Sequence, residues 1–72
     1  MMNKVKPVFE KLERLNDRHP DRIIEHINSS YPQYSGMCYY DPKIKELRSA
    51  DESIVNFYFD PFHSVLHIRG YK

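Results

Sequence analysis

Ser53-Ile54-Val55-Asn56-Phe57-Tyr58-Phe59-Asp60-Pro61-Phe62-His63-Ser64-Val65-Leu66-His67-Ile68-Arg69-Gly70-Tyr71-Lys72 closes the chain and decides its fold class. Two runs that alternate apolar and polar residues flank an Asp-Pro turn, the pattern of a β-hairpin. One pleat face of it carries Val55, Phe57, Phe59, Leu66 and Ile68. The opposite face carries Asn56, Tyr58, His67, Arg69 and Tyr71, an aromatic and polar set that folding alone does not require. The hairpin predicts strands over about 53–60 and 64–71.

Immediately upstream, Tyr39-Tyr40-Asp41-Pro42 echoes Tyr58-Phe59-Asp60-Pro61 nineteen residues later. The echo implies a shared parity. If Phe59 faces a core, so do Tyr40 and Cys38, while Tyr39 joins Tyr58 on the outside. Met37-Cys38-Tyr39-Tyr40 is strand-like in composition and predicts a third strand over about 37–40. After it, Asp41 as cap and Pro42 in the first turn, with Ile44 and Leu47 three apart, predict a short helix over 42–48. A strand is the alternative for the same stretch.

Farther upstream, Val5, Val8, Phe9, Leu12 and Leu15 recur at helical spacing, and Pro7 fits only a first turn, which predicts a helix over about 6–16. Lys4, Lys11, Arg14 and Arg18 then form a stripe on its solvated side, interleaved with Glu10, Glu13 and Asp17. A second helix, over about 19–30, has Asp17 or His19 as cap, Pro20 in the first turn and Ile23, Ile24, Ile27 and Tyr31 as its apolar stripe. Helices shorter than ~12–15 residues are marginal alone in water, so both must dock on the sheet. The expected fold is α+β: two short N-terminal helices packed on one face of a small, mainly antiparallel three-stranded sheet ending in a C-terminal β-hairpin. The other sheet face is left open, as antiparallel sheets allow.

Seventy-two residues allow one domain, 1–72, with a thin core. A lone cysteine excludes an intrachain disulfide and points to a reducing compartment. The start of the chain lacks a signal-like apolar run and no window reaches the ~18–20 apolar residues of a membrane span, so a cytoplasmic location without a membrane partner is expected. Eleven Lys and Arg against ten Asp and Glu leave no basic surplus, which argues against a dedicated duplex-DNA binder.

Catalytic signatures are missing: no Gly-rich phosphate loop, no Ser–His–Asp order and no helical His pair. His63 and His67 are four apart, but in a hairpin that spacing separates them by ~13 Å along the strand, too far to share a metal ion. Cys38 has no cationic neighbour in sequence to activate it and reads as a buried thiol. No cofactor, metal site or catalytic residue is therefore expected.

What remains is the outer face, with Tyr39, Asn56, Tyr58, His67, Arg69 and Tyr71 as candidate binding residues. Tyr and Arg give large contact area at modest entropic cost. The expected function is a small protein-binding module (an inhibitor, adaptor or regulatory subunit) that uses this face or homodimerises through it. The alternative is a single-stranded RNA or DNA binder that stacks bases on the tyrosines and holds phosphate with Arg69. A third is a minimal ribonuclease built on His67 and Arg69. Against all of these stands a plain structural role, since cross-strand aromatic pairs stabilise a sheet by themselves. Such brevity without familiar motifs is also met among inhibitors encoded by phages and mobile elements.

Overall fold

A computed structural model of the chain describes residues 7–71. Their order is β1 (Pro7–Arg14), α1 (Pro20–Ser30), a 3-10 turn (Pro32–Tyr34), β2 (Cys38–Asp41), β3 (Glu46–Ser49), β4 (Val55–Asp60) and β5 (Val65–Tyr71). β5 is the centre of a three-stranded antiparallel sheet in the order β1-β5-β4, and β2 and β3 form an antiparallel hairpin of their own. The class is α+β, with one α-helix among the described residues.

In the C-terminal hairpin Phe57 stands opposite Ile68 and Tyr58 opposite His67. Its loop is set by Asp60, whose Oδ1 accepts the Phe62 and His63 backbone N–H groups at 3.0 and 3.3 Å. The Pro61 ring fixes its own φ at the value the turn needs, and the loop closes through Ser64 at φ 58°, in the left-handed region. The β2–β3 loop repeats this design. Asp41 Oδ1 accepts the Lys43 N–H at 3.0 Å, the Asp41 carbonyl accepts the Lys45 N–H at 2.7 Å, and Lys45 also has φ 58°. The sequence echo is thus one hairpin loop used twice. It also corrects the helix expected over 42–48: the stretch is the loop and strand β3, as in the alternative.

A larger correction falls at the start. The helix expected over 6–16 is strand β1 at the edge of the sheet, paired along β5 from Pro7–Tyr71 to Arg14–Val65 with an irregularity between Pro7 and Phe9. The chain has one α-helix where two were expected, and β1 takes the third place in the sheet that was expected for 37–40. Its pattern misleads because two inward positions are charged. Phe9 packs beside Tyr31 and Tyr34, and Leu15 packs on the core. Between them Lys11 lies over the Tyr31 ring at 5.9 Å and Glu13 meets His26 of α1 at 2.8 Å. Their charges also pair with each other at 3.4 Å, so the strand alternates without looking apolar. Val5, Lys4 and Lys6 of the expected helix and stripe lie outside the described residues.

α1 fulfils the second helical expectation. Asp17 Oδ1 accepts the His19 N–H at 2.9 Å, and Pro20 begins the helix without needing a donor. His19, the residue at the cap, makes no side-chain capping bond. Ile23 and Ile27 are fully enclosed, and they meet Val55, Phe57, Leu66 and Ile68 from the sheet with Tyr31, Tyr34 and Cys38 in one core. Gly70 permits part of this packing. A Cβ there would collide with the Phe9 ring and the Tyr34 hydroxyl, so both aromatics lie directly on glycine backbone.

Buried groups tie the β2–β3 hairpin to the rest. Cys38 is buried in the common core, and the buried Ser49 hydroxyl accepts the Phe57 backbone N–H at 2.9 Å. A serine oxygen there does the work of a ladder carbonyl at the outer edge of β4.

Candidate functional site

Pairing to β5 arranges the uncovered face of the three-stranded sheet in cross-strand rows. The first is Glu10, Arg69, Asn56, the second Leu12, His67, Tyr58, and the third Arg14, Val65, Asp60. The middle row is the apolar one. Leu12 is 66% exposed and Tyr58 55%, and the Tyr58 and His67 rings are in contact with centroids 5.3 Å apart. Between β1 and β5 the face dips into a shallow depression of about 370 Å³, bordered by Glu10, Leu12, His67 and Arg69. Neither Arg14 nor Arg69 is in an ion pair among the described residues.

Five of the six expected binding residues are brought together here. Asn56, Tyr58, His67 and Arg69 sit on adjoining positions of β4 and β5, and Tyr71 ends the same side of β5. Tyr71 is partly covered, and its backbone N–H bonds the Ile54 carbonyl at 2.7 Å. Tyr39 belongs to the other sheet. It is 49% exposed and stands opposite Arg48, and Cys38 beside it is buried, in keeping with the parity implied by the echo.

Sequence reasoning missed the contribution of β1, which supplies Glu10, Leu12 and Arg14 to the face. A strand disguised as a helix gives no signal of which sheet it joins. It also missed a carboxylate–histidine pair. In the β4–β5 loop His63 Nδ1 is 2.7 Å from Asp60 Oδ2, and the Phe62 ring stands edge-on to the imidazole at 4.7 Å. The hydrogen bond to His63 holds the Asp60 carboxyl below its ordinary value. The i,i+3 spacing of Asp and His within an Asp-Pro turn was its available signal. Arg14, Arg18 and Ser64 border the same end of the molecule, where Arg18 Nε donates to Ser64 Oγ at 3.2 Å.

A further concavity, of about 400 Å³, opens between the β2–β3 loop and β4, with Tyr40, Ile44, Leu47 and Phe59 among its walls. Here the two hairpins part beyond the Ser49–Phe57 contact.

Chemically, the face offers contact area and mixed hydrogen bonding. His67 has an aromatic neighbour and no carboxylate within hydrogen-bonding distance among the described residues, so the pairing that orients a general base is found at His63 instead. Burial pushes the Cys38 thiol up to about 11, which leaves it unreactive at neutral pH. No group of three or more His, Cys, Asp or Glu able to hold a metal ion occurs among the described residues. Nor is any helix there long and apolar enough to cross a membrane. Compared with protein-family models, curated proteins and solved structures, the chain matches none.

Proposed function

We propose that the open face of the β1-β5-β4 sheet is a protein-binding surface, and that the chain acts through it in the cytoplasm as a small inhibitor, adaptor or regulatory subunit. The observation that carries this reading is the order of the rows. An exposed apolar and aromatic centre, Leu12-His67-Tyr58, is flanked on both sides by rows that each contain an acid and an arginine. A dry centre within a polar rim of both signs is the anatomy of a protein–protein interface.

The same rows weigh against a polynucleotide. Glu10 and Asp60 balance Arg14 and Arg69, so the face carries no surplus charge with which to displace counterions from phosphates. The tyrosines support stacking on single-stranded bases, but Tyr39 is on the other sheet and Tyr71 is partly covered, which leaves Tyr58 as the exposed ring of the face.

The test is affinity capture from the native host with wild type, Tyr58→Ala, Leu12→Ser and, as a control away from the face, Ile44→Ser. The expected result is a protein retained by wild type and Ile44→Ser and lost by the two face variants. Equal retention by all four proteins, or retention of nuclease-sensitive material alone, would overturn the reading.

A further inference from the structure

The outer edge of β1 has no strand beside it among the described residues, since the sheet ends there in the order β1-β5-β4. Such an edge exposes a row of backbone donors and acceptors that can pair with another strand. Its side chains decide which strand can come. Glu10-Lys11-Leu12-Glu13-Arg14 reads the same in reverse once the sign of each charge is inverted about Leu12.

We propose that β1 pairs antiparallel with β1 of a second copy of this chain, with the twofold axis at Leu12. A twofold that makes two edge strands antiparallel neighbours in one sheet must stand perpendicular to that sheet, so one residue always meets its own copy on the axis. With Leu12 there, Glu10 stands opposite Arg14 of the second copy and Lys11 opposite Glu13. Both relations occur twice. Every charge of the segment then meets its opposite, and the exposed Leu12 side chains cover each other.

Other registers fail for definite reasons. An axis at Glu10, Lys11, Glu13 or Arg14 places a like charge on itself, which destabilises a directly opposed pair. An axis at Phe9 sets Lys11 against Pro7, which has no N–H to give the ladder. Inward charges on an edge strand ordinarily keep other strands away. Here they exclude all comers except a strand with the complementary order, and β1 itself has that order.

The consequence reaches the open face. A perpendicular axis leaves the open faces of both copies on the same side of a joined six-stranded sheet, β4-β5-β1-β1-β5-β4. The middle rows then become one, Tyr58-His67-Leu12-Leu12-His67-Tyr58. Dimerisation by this route uses the edge and, of the face, covers Leu12 alone; Tyr58, on the far strand β4, tests the face without it, so failure of the dimer would not touch the reading of the face.

The experiment is sedimentation velocity on wild type, Glu10→Arg, Arg14→Glu, and an equimolar mixture of the two variants. Wild type is expected to be dimeric. Either variant alone sets like charges opposite each other twice, which raises the dimer dissociation constant at least ~10-fold. The mixture restores both pairings and is expected to recover a heterodimer. In a second measurement, Leu12→Cys is expected to form an intermolecular disulfide on mild oxidation, because opposed Cα atoms in an antiparallel pair lie within disulfide reach. Glu10→Cys, about four residues off its own copy in this register, is not. A monomeric wild type at the highest soluble concentration overturns the proposal. So do a dimer unaffected by either reversal, a mixture that stays monomeric, or cross-linking of Glu10→Cys as fast as Leu12→Cys.

Discussion

β5 has two sides with opposite character. Leu66, Ile68 and Gly70 point to α1 and the aromatic cluster, and all three are buried. Val65, His67, Arg69 and Tyr71 alternate with them on a face that no described element covers, and Arg69 is exposed. The flanking strands follow suit, since Phe57 is 4% exposed and its neighbour Tyr58 55%. One residue of register therefore separates the core from the candidate site. A chain of this size has a single core, so the inner face has to hold the fold.

The most forceful way to separate the two sides is Phe57→Ala. Deleting a buried ring that touches Tyr34 edge-on should cost ~3–5 kcal/mol of unfolding free energy, read from urea titrations. A loss no larger than that of a surface substitution would mean that the inner face is not the core described above.

Ser49→Ala tests the seam between the two hairpins. It strands the buried Phe57 N–H and should cost ~1–3 kcal/mol, whereas Ser35→Ala, at an exposed loop position, should be near neutral. Equal effects would show that the hydroxyl does not serve the β4 edge.

Acid gives a smaller and more diffuse effect. Asp60 is held below its ordinary 3.8 by its hydrogen bond to His63, Asp51 by its bonds to Ser53, and Asp17 by the His19 N–H. For Glu13, burial pushes upward, but hydrogen bonds and charge from His26 and Lys11 prevail and take it below 4.5. Each carboxyl binds its proton less readily when folded. The unfolded chain therefore takes up more protons, and the stabilisation, complete above the ordinary carboxylate values, is lost as pH falls through the lower folded ones. The urea midpoint should thus decline below about pH 4.5, less steeply in Asp60→Asn. A midpoint that holds or rises in that acid range would contradict these assignments.

What was legible in the sequence was what obeyed a single period. The β4–β5 hairpin alternates strictly between faces, and its strands were readable to within a residue or two. α1 carries Pro20 at its start and isoleucines at helical spacing. β1 was illegible because Lys11 and Glu13 face inward. Lys11 lies over Tyr31 and Glu13 meets His26, partners thirteen or more positions away that no local window contains. Val8 and Leu12 then combine with Phe9 and Leu15 into a spurious helical stripe. β3 was hidden by its loop, because Asp-Pro begins both a helix and this hairpin turn. The echo of Asp41-Pro42 with Asp60-Pro61 held the answer, since the second copy of the motif was already read as a turn. Of the site, the β4 and β5 residues were legible from alternation alone. Its third row-mates, Glu10, Leu12 and Arg14, depended on β1.

The central claim is that the outer face serves a partner and not the fold, and it can be tested before any partner is known. The measurement is the unfolding free energy of the double variant Leu12→Thr/Tyr58→Thr, which removes the exposed apolar side chains and keeps strand-forming residues. The account predicts a value within ~1 kcal/mol of wild type, the scale of one cross-strand pair. A loss comparable with that of Phe57→Ala would contradict it and make the face part of what holds the molecule together.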